Sequence, residues 1–116
     1  MEQLTELLTK EDLDKVWDMS QEKPVLLFKQ STTCPVSAEA FNQFNAFVDE
    51  TDLDVGTYFV KVRETREVSN RIAEETGVQH QSPQIFLIKG KEVLWHTSHS
   101  HITQEAIKEA LANEGK

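Results

Sequence analysis

Cysteine occurs once in the 116 residues, at Cys34 within Ser31-Thr32-Thr33-Cys34-Pro35-Val36-Ser37. A lone thiol cannot close an internal disulfide, so any disulfide it forms joins a second molecule. The thiolate is the nucleophile of such exchange, and its surroundings decide how readily it forms. Pro35 suits the first position of a helix, where a missing N–H costs nothing and φ is already helical. Cys34 then falls at the N-cap, where amide groups without intrahelical partners and the helix dipole favour a negative sulfur. Ser37, three residues on, is expected to donate a hydrogen bond to that sulfur. A free cysteine most often packs as a small apolar group. The strand–Cys-Pro–helix context argues for the reactive alternative here.

The flanking elements must hold that junction. Val25-Leu26-Leu27-Phe28-Lys29 is a nearly continuous apolar run and reads as a central strand covered on both faces. After the cysteine, Val36, Ala40, Phe41, Phe44, Phe47 and Val48 recur at helical spacing to about Glu50 and predict one buried face. Upstream, residues 1–8 read as an edge strand or an extended lead-in. Thr9 with Asp12 starts a helix carrying Leu13, Val16 and Trp17 to about Gln21, and Lys23-Pro24 ends it. Downstream, Tyr58 to Val62 is a strand, and Arg66 to Thr76 a helix burying Val68, Ile72 and Ala73. Gly77 is its left-handed end, with Val78 as the apolar contact. Gln84 to Ile88 and Val93 to His96 are strands joined through Lys89-Gly90-Lys91. Ile102, before an N-cap at Thr103, is placed to staple onto Ile107 of a last helix that frays over Asn113 to Lys116.

Strands alternating with helices and ending in a hairpin predict an α/β fold with a central mixed sheet flanked by helices, in one domain over residues 1–116. The net charge of −8 argues against nucleic acid and anionic membranes as partners. No run is apolar enough for a membrane span, and no N-terminal targeting segment is evident. With one cysteine, this points to the reducing cytoplasm.

The element order, with the cysteine at the first strand–helix junction and Ser82-Pro83 just before the hairpin, resembles the thioredoxin fold. The resemblance implies that Pro83 is cis and opposes Cys34, with Ser82 and Pro83 presenting backbone to an extended disulfide substrate. That fold usually carries Cys-x-x-Cys, and here the second cysteine is Ser37. Three blocks narrow the resemblance: Thr33-Cys34-Pro35-Val36-Ser37, Gly77-Val78-Gln79-His80-Gln81-Ser82-Pro83-Gln84, and Trp95-His96-Thr97-Ser98-His99-Ser100. Together they are similar to the monothiol bacilliredoxin family, over nearly the whole chain from Val25. The resemblance implies a thiol–disulfide oxidoreductase that removes bacillithiol from S-bacillithiolated proteins. Cys34 is then the catalytic residue, supported by Thr33, Pro35, Val36 and Ser37. Ser82, Pro83 and His80 meet the substrate. Bacillithiol is a thiol co-substrate, no cofactor or metal is bound, and a monomer is expected.

The histidines offer a second chemistry. On a strand long enough to include them, His99 and His101 share one face and His96 takes the other, and no local carboxylate completes a metal set. His80, three residues before Pro83, is the one nearest the expected site. Lys29 and Arg63, each following a strand, read as surface charges or as attractants for an anionic thiol. Trp17, Trp95 and the three phenylalanines of the second helix read as packing residues. Two other functions fit the same residues: an iron–sulfur cluster carrier of the monothiol-glutaredoxin type, and a thioredoxin-like interaction module with an inert thiol. Pro35 and Val36 stand where such carriers have Gly-Phe.

Overall fold

The structure, a computed structural model, describes residues 4–114. Among these the elements run β1 (Thr5–Glu6), α1 (Lys10–Met19), β2 (Val25–Gln30), α2 (Pro35–Glu50), β3 (Gly56–Lys61), α3 (Arg66–Thr76), β4 (Gln84–Lys89), β5 (Glu92–Ser98) and α4 (Gln104–Glu114), with a single 3-10 turn at His99–His101 between β5 and α4. One five-stranded sheet has the order β1-β3-β2-β4-β5. β1, β3 and β2 are parallel, while β4 runs antiparallel to β2 and to β5. β2 is thus central, as its apolar run requires.

Alternation along β2 divides the core. Leu26 and Phe28 face α2 and α4, where they join Phe44, Phe47, Ile85, Leu87 and Ile107. Val25 and Leu27 face α1 and α3, with Leu13, Val16, Val60, Val68 and Ile72. Phe28 stacks on Phe44 with ring centroids 5.3 Å apart, which pins α2 to the end of β2 that carries Cys34. Burying each such side chain contributes about 1.5–3 kcal/mol.

Local signals set the helix ends. Thr9 Oγ1 accepts from the Asp12 N–H at 3.1 Å and Asp12 accepts from the Thr9 N–H at 3.1 Å, a reciprocal cap for α1. Gly77 ends α3 with φ +72°, a conformation that costs glycine nothing. The Ala106 N–H donates to Thr103 Oγ1 at 3.1 Å, and Ile102 and Ile107 are buried in the same core, as a staple demands.

Several boundaries differ from the sequence expectations. The lead-in contains the short β1 beside β3; Met1 to Gln3 lie outside the described residues. α1 stops at Met19, where Ser20 Oγ donates to the Trp17 carbonyl. β3 begins two residues early and ends at Lys61, because the Gly56 N–H pairs with the Pro24 carbonyl at 2.9 Å. A Cβ at position 56 would lie 3.1 Å from the Tyr58 ring and 3.2 Å from Val25, which accounts for a glycine inside a strand. The hairpin loop is Gly90-Lys91, both at positive φ, as a primed two-residue turn requires. β5 runs past His96 to Ser98, and a bulge opposite Leu87–Ile88 leaves Leu94 unpaired and exposed. Helix α4 continues through the expected frayed end to Glu114, and the rest of that stretch lies outside the described residues.

Candidate active site at the head of helix 2

Cys34 is the N-cap of α2, with extended backbone and Pro35 in the first turn. Its carbonyl accepts the Ala38 N–H at 3.1 Å, and its own N–H reaches the Ser31 carbonyl at 3.4 Å. The side chain makes no capping hydrogen bond, and the residue is partly exposed. The sulfur therefore sits where the helix begins, open to an incoming disulfide and beside backbone donors.

Ser37 does not do what the spacing suggested. It is fully buried, and its Oγ accepts the Ser31 N–H at 2.9 Å. The hydroxyl closes the loop before the cysteine; no bond from it to the sulfur occurs among the described residues. Val36 differs as well. It is 43% exposed, not part of the buried face of α2, because the first turn projects beyond the sheet.

The loop is also tied sideways. Thr32 Oγ1 donates to Glu64 at 2.9 Å, and Arg63 Nη1 lies 3.5 Å from Thr33 Oγ1. The Thr32 hydrogen bond holds the Glu64 carboxyl below its usual range. These contacts bind the cysteine loop to the segment between β3 and α3.

The Ser82–Pro83 peptide is cis, immediately before β4. β4 lies beside β2 in antiparallel register, with Gln84 opposite Lys29, so this peptide stands at the same end of the sheet as Cys34. Pro83 is buried, and its carbonyl accepts the His99 N–H at 3.1 Å. Gln84, almost fully buried, supports the loop from beneath: its Nε2 donates to the Gln79 carbonyl at 3.1 Å and its Oε1 accepts the Gln81 N–H at 3.2 Å. A polar residue opening an otherwise apolar strand was the sequence signal for this strut.

A shallow groove of about 360 Å³ runs from Pro35 and Val36 between α2 and the His99–His101 turn, floored by Ala40 and Ile102. His99 has φ +54°, an uncommon conformation for a side-chain-bearing residue. A larger depression of about 610 Å³ lies between the far end of α2 and α4. A 16-residue helix is about 24 Å long, so that depression is remote from the thiol.

Lys29 departs most from expectation. It is not a surface charge but fully buried, on the α1/α3 face with Leu27, and its Nζ has no hydrogen-bond partner among the described residues. Burial pushes its pKa down to about 8. Its sequence signal was a charge inside a run read as covered on both faces. Arg63 is exposed, as read. His80 is exposed on the loop above; its pKa is lowered by partial burial, then by Lys29 and by Arg66. His96, His99 and His101 are exposed, and the strand stops at Ser98, so the period-two placement does not apply. Among the described residues no three of His, Cys, Asp and Glu come together as a metal set. Trp17 and Trp95 are partly buried against opposite core layers, and Phe44 and Phe47 are core. No helix among the described residues is long and apolar enough to cross a membrane.

Residues 5–107 match the family model described as monothiol bacilliredoxin BrxC. The chain is also similar to a solved protein described as having a thioredoxin fold, at 33% identity over 94% of both chains with a TM-score of 0.83. Thioredoxins show the same fold at lower identity. The one from Fasciola hepatica is 16% identical, over 94% of this chain and 97% of its own, with a TM-score of 0.75. The one from Nicotiana alata is 16% identical, over 96% and 91%, with a TM-score of 0.76. The mixed sheet with its flanking helices is therefore a thioredoxin fold.

Proposed function

This chain belongs to the monothiol bacilliredoxin family, and on that premise we propose that it removes bacillithiol from S-bacillithiolated proteins through Cys34. The observation that carries the reading is the pairing of a partly exposed Cys34 at the α2 N-cap with a buried Ser37 in the second position of the motif. One position offers a nucleophile; the other offers no thiol to resolve it. A monothiol cycle follows, with an external thiol as the second nucleophile.

In the first step the Cys34 thiolate attacks the bacillithiol sulfur of the client's mixed disulfide. The Cys34–bacillithiol S–S bond forms, the client S–S bond breaks, and the client thiolate leaves and takes a proton from water. In the second step the thiolate of free bacillithiol attacks the capped sulfur. Bacillithiol disulfide leaves, and Cys34 departs as thiolate. The net change is one client thiol regained and one bacillithiol disulfide formed from one free bacillithiol. The protein binds no cofactor in this cycle and acts as a monomer.

The remaining residues set the stage. Pro35 and the first turn of α2 hold the sulfur at the helix head. Thr33 and Ser37 fix the loop, and Val36 opens beside it as apolar surface. The backbone at Ser82 and Pro83 offers an extended segment of the client a strand to pair with, and His80 flanks it. The cycle needs a compartment supplied with free bacillithiol, which makes the cytoplasm its setting.

Intact mass spectrometry tests this directly. Reduced protein is mixed with a client capped by bacillithiol and, separately, by glutathione. A bacillithiol adduct on Cys34 with release of the client is expected. No adduct, while Cys34 still reacts with an alkylating reagent, rejects the reading and turns attention to the cluster carrier or the inert module.

A further inference from the structure

Gln84 opens β4 ahead of Ile85, Phe86, Leu87 and Ile88, and like them it is buried. An apolar residue would fill that place without taking an amide out of water. Both ends of the amide are satisfied in the loop just upstream. Its Nε2 donates to the Gln79 carbonyl at 3.1 Å, and its Oε1 accepts the Gln81 N–H at 3.2 Å. That loop is open to solvent: Gln79 and His80 are exposed, Gln81 and Ser82 partly so.

Little else fastens it. Among the described residues, Gln79 to Ser82 make no backbone–backbone hydrogen bond, and Ser82 Oγ, though buried, has no partner. Pairing of β4 with β2 begins only at Gln84, so the sheet does not order the loop. The next tie is at Pro83, whose carbonyl accepts the His99 N–H at 3.1 Å. Ser82 therefore lies between two anchors, with its own N–H and carbonyl unpaired among the described residues. The cysteine loop is held by other side chains, Ser37 on Ser31 and Thr32 on Glu64. Gln84 takes no part in those bonds.

Without the Gln84 bonds the exposed loop would sample many conformations, and a partner pairing with it would have to order it first. We propose that Gln84 is a positioning residue for the client: its buried amide sets the Gln79–Ser82 loop in advance, so that the Ser82 backbone meets an extended client segment ready to pair. This rests on the exchange reading above and adds the residue that favours polypeptide disulfides over small ones. Its effect falls on docking and not on the thiol, because separate bonds order the two loops.

The test compares two disulfides that present the same sulfur to Cys34. One is a short extended peptide whose single cysteine is capped by mercaptoethanol. The other is hydroxyethyl disulfide, which carries no peptide. In both, attack on a mercaptoethanol sulfur forms the same Cys34 disulfide and breaks the old one. The leaving thiolate, of the peptide or of mercaptoethanol, takes a proton from water. Adduct formation is timed by intact mass, and a small free thiol reacted with the same two disulfides gives their intrinsic reactivities.

Wild type is expected to favour the peptide by on the order of tenfold more than the small thiol does. Gln84→Met keeps length and burial but removes both hydrogen bonds, and should abolish most of that preference. A fall shared equally by both disulfides marks a general structural role and overturns the proposal. An unchanged ratio, or a wild type without preference, overturns it too, and each of these leaves the exchange reading standing. If wild-type Cys34 reacts with neither disulfide, the exchange reading falls and takes this one with it. Should Gln84→Met not fold, amide NMR of the free wild-type protein decides. A Gln81 N–H protected from exchange, with His80 and Ser82 as ordered as β4, supports the preset loop; a loop mobile until peptide is added overturns it.

Discussion

Ser37 Oγ accepts the hydrogen bond of the Ser31 amide at 2.9 Å, across the turn that carries Cys34. The position that holds the second thiol in a Cys-x-x-Cys site is here a structural fastener of the cysteine loop. Ser37→Ala removes the partner of the Ser31 N–H and should cost about 1 kcal/mol, read as a lower urea midpoint and faster amide exchange at Ser31. Unchanged exchange at Ser31 would remove the fastening role.

Ser37→Cys restores a thiol one helical turn from Cys34. The Cα separation there is about 5 Å, within the range a disulfide spans. Mild oxidation should hide both thiols from an alkylating reagent, and dithiothreitol should return them. Persistent labelling of both would show that the loop cannot bring the sulfurs together.

Cys34→Ser should abolish transfer, because no other thiol exists in the chain. The residue is only partly buried and its side chain caps nothing, so the unfolding midpoint should move by less than about 0.5 kcal/mol. Turnover surviving in this variant would refute the monothiol cycle.

Lys29 predicts an unusual pH dependence. Its folded pKa is about 8 against an ordinary 10.5, so between these values the unfolded chain binds more protons than the folded one. Stability should therefore rise with pH across that window, by a few kcal/mol at most. Lys29→Met should be more stable than wild type below pH 8 and flatten the rise. Chemical denaturation of both proteins from neutral pH to pH 10.5 reads this, and parallel curves would mean the amine is solvated.

Thr9→Ala breaks the α1 cap and should cost about 1 kcal/mol. Asp12 receives the Leu8 and Thr9 amides, and these hold its carboxyl below the ordinary value of 3.8. A depressed carboxyl stabilises above its unfolded value and loses that contribution as pH falls below it. Asp12→Asn should make the acid limb of the stability profile shallower; an identical acid limb would show that the cap bears no charge dependence.

The chain alone determined whatever neighbours along the backbone decide. Cys34 next to Pro35, Thr9 three residues before Asp12, and Gly77 after an amphipathic run are local statements about unpaired amides and allowed φ. The structure shows each where it was read. The alternation and length of the apolar runs likewise made β2 central and the sheet mixed. What only the tertiary structure decided is what covers each face. Val36 follows the periodicity of α2 yet is exposed, because the sheet ends beneath it. Lys29 carries a charge yet is buried, because it lies on the α1/α3 face of the central strand, in register between Gln84 and Val60. Ser37 turned from the sulfur to Ser31, since a buried hydroxyl takes the partner that the folded loop brings to it. Burial and pairing are sums over residues far apart in the chain, and the spacing of side chains along one element does not contain them.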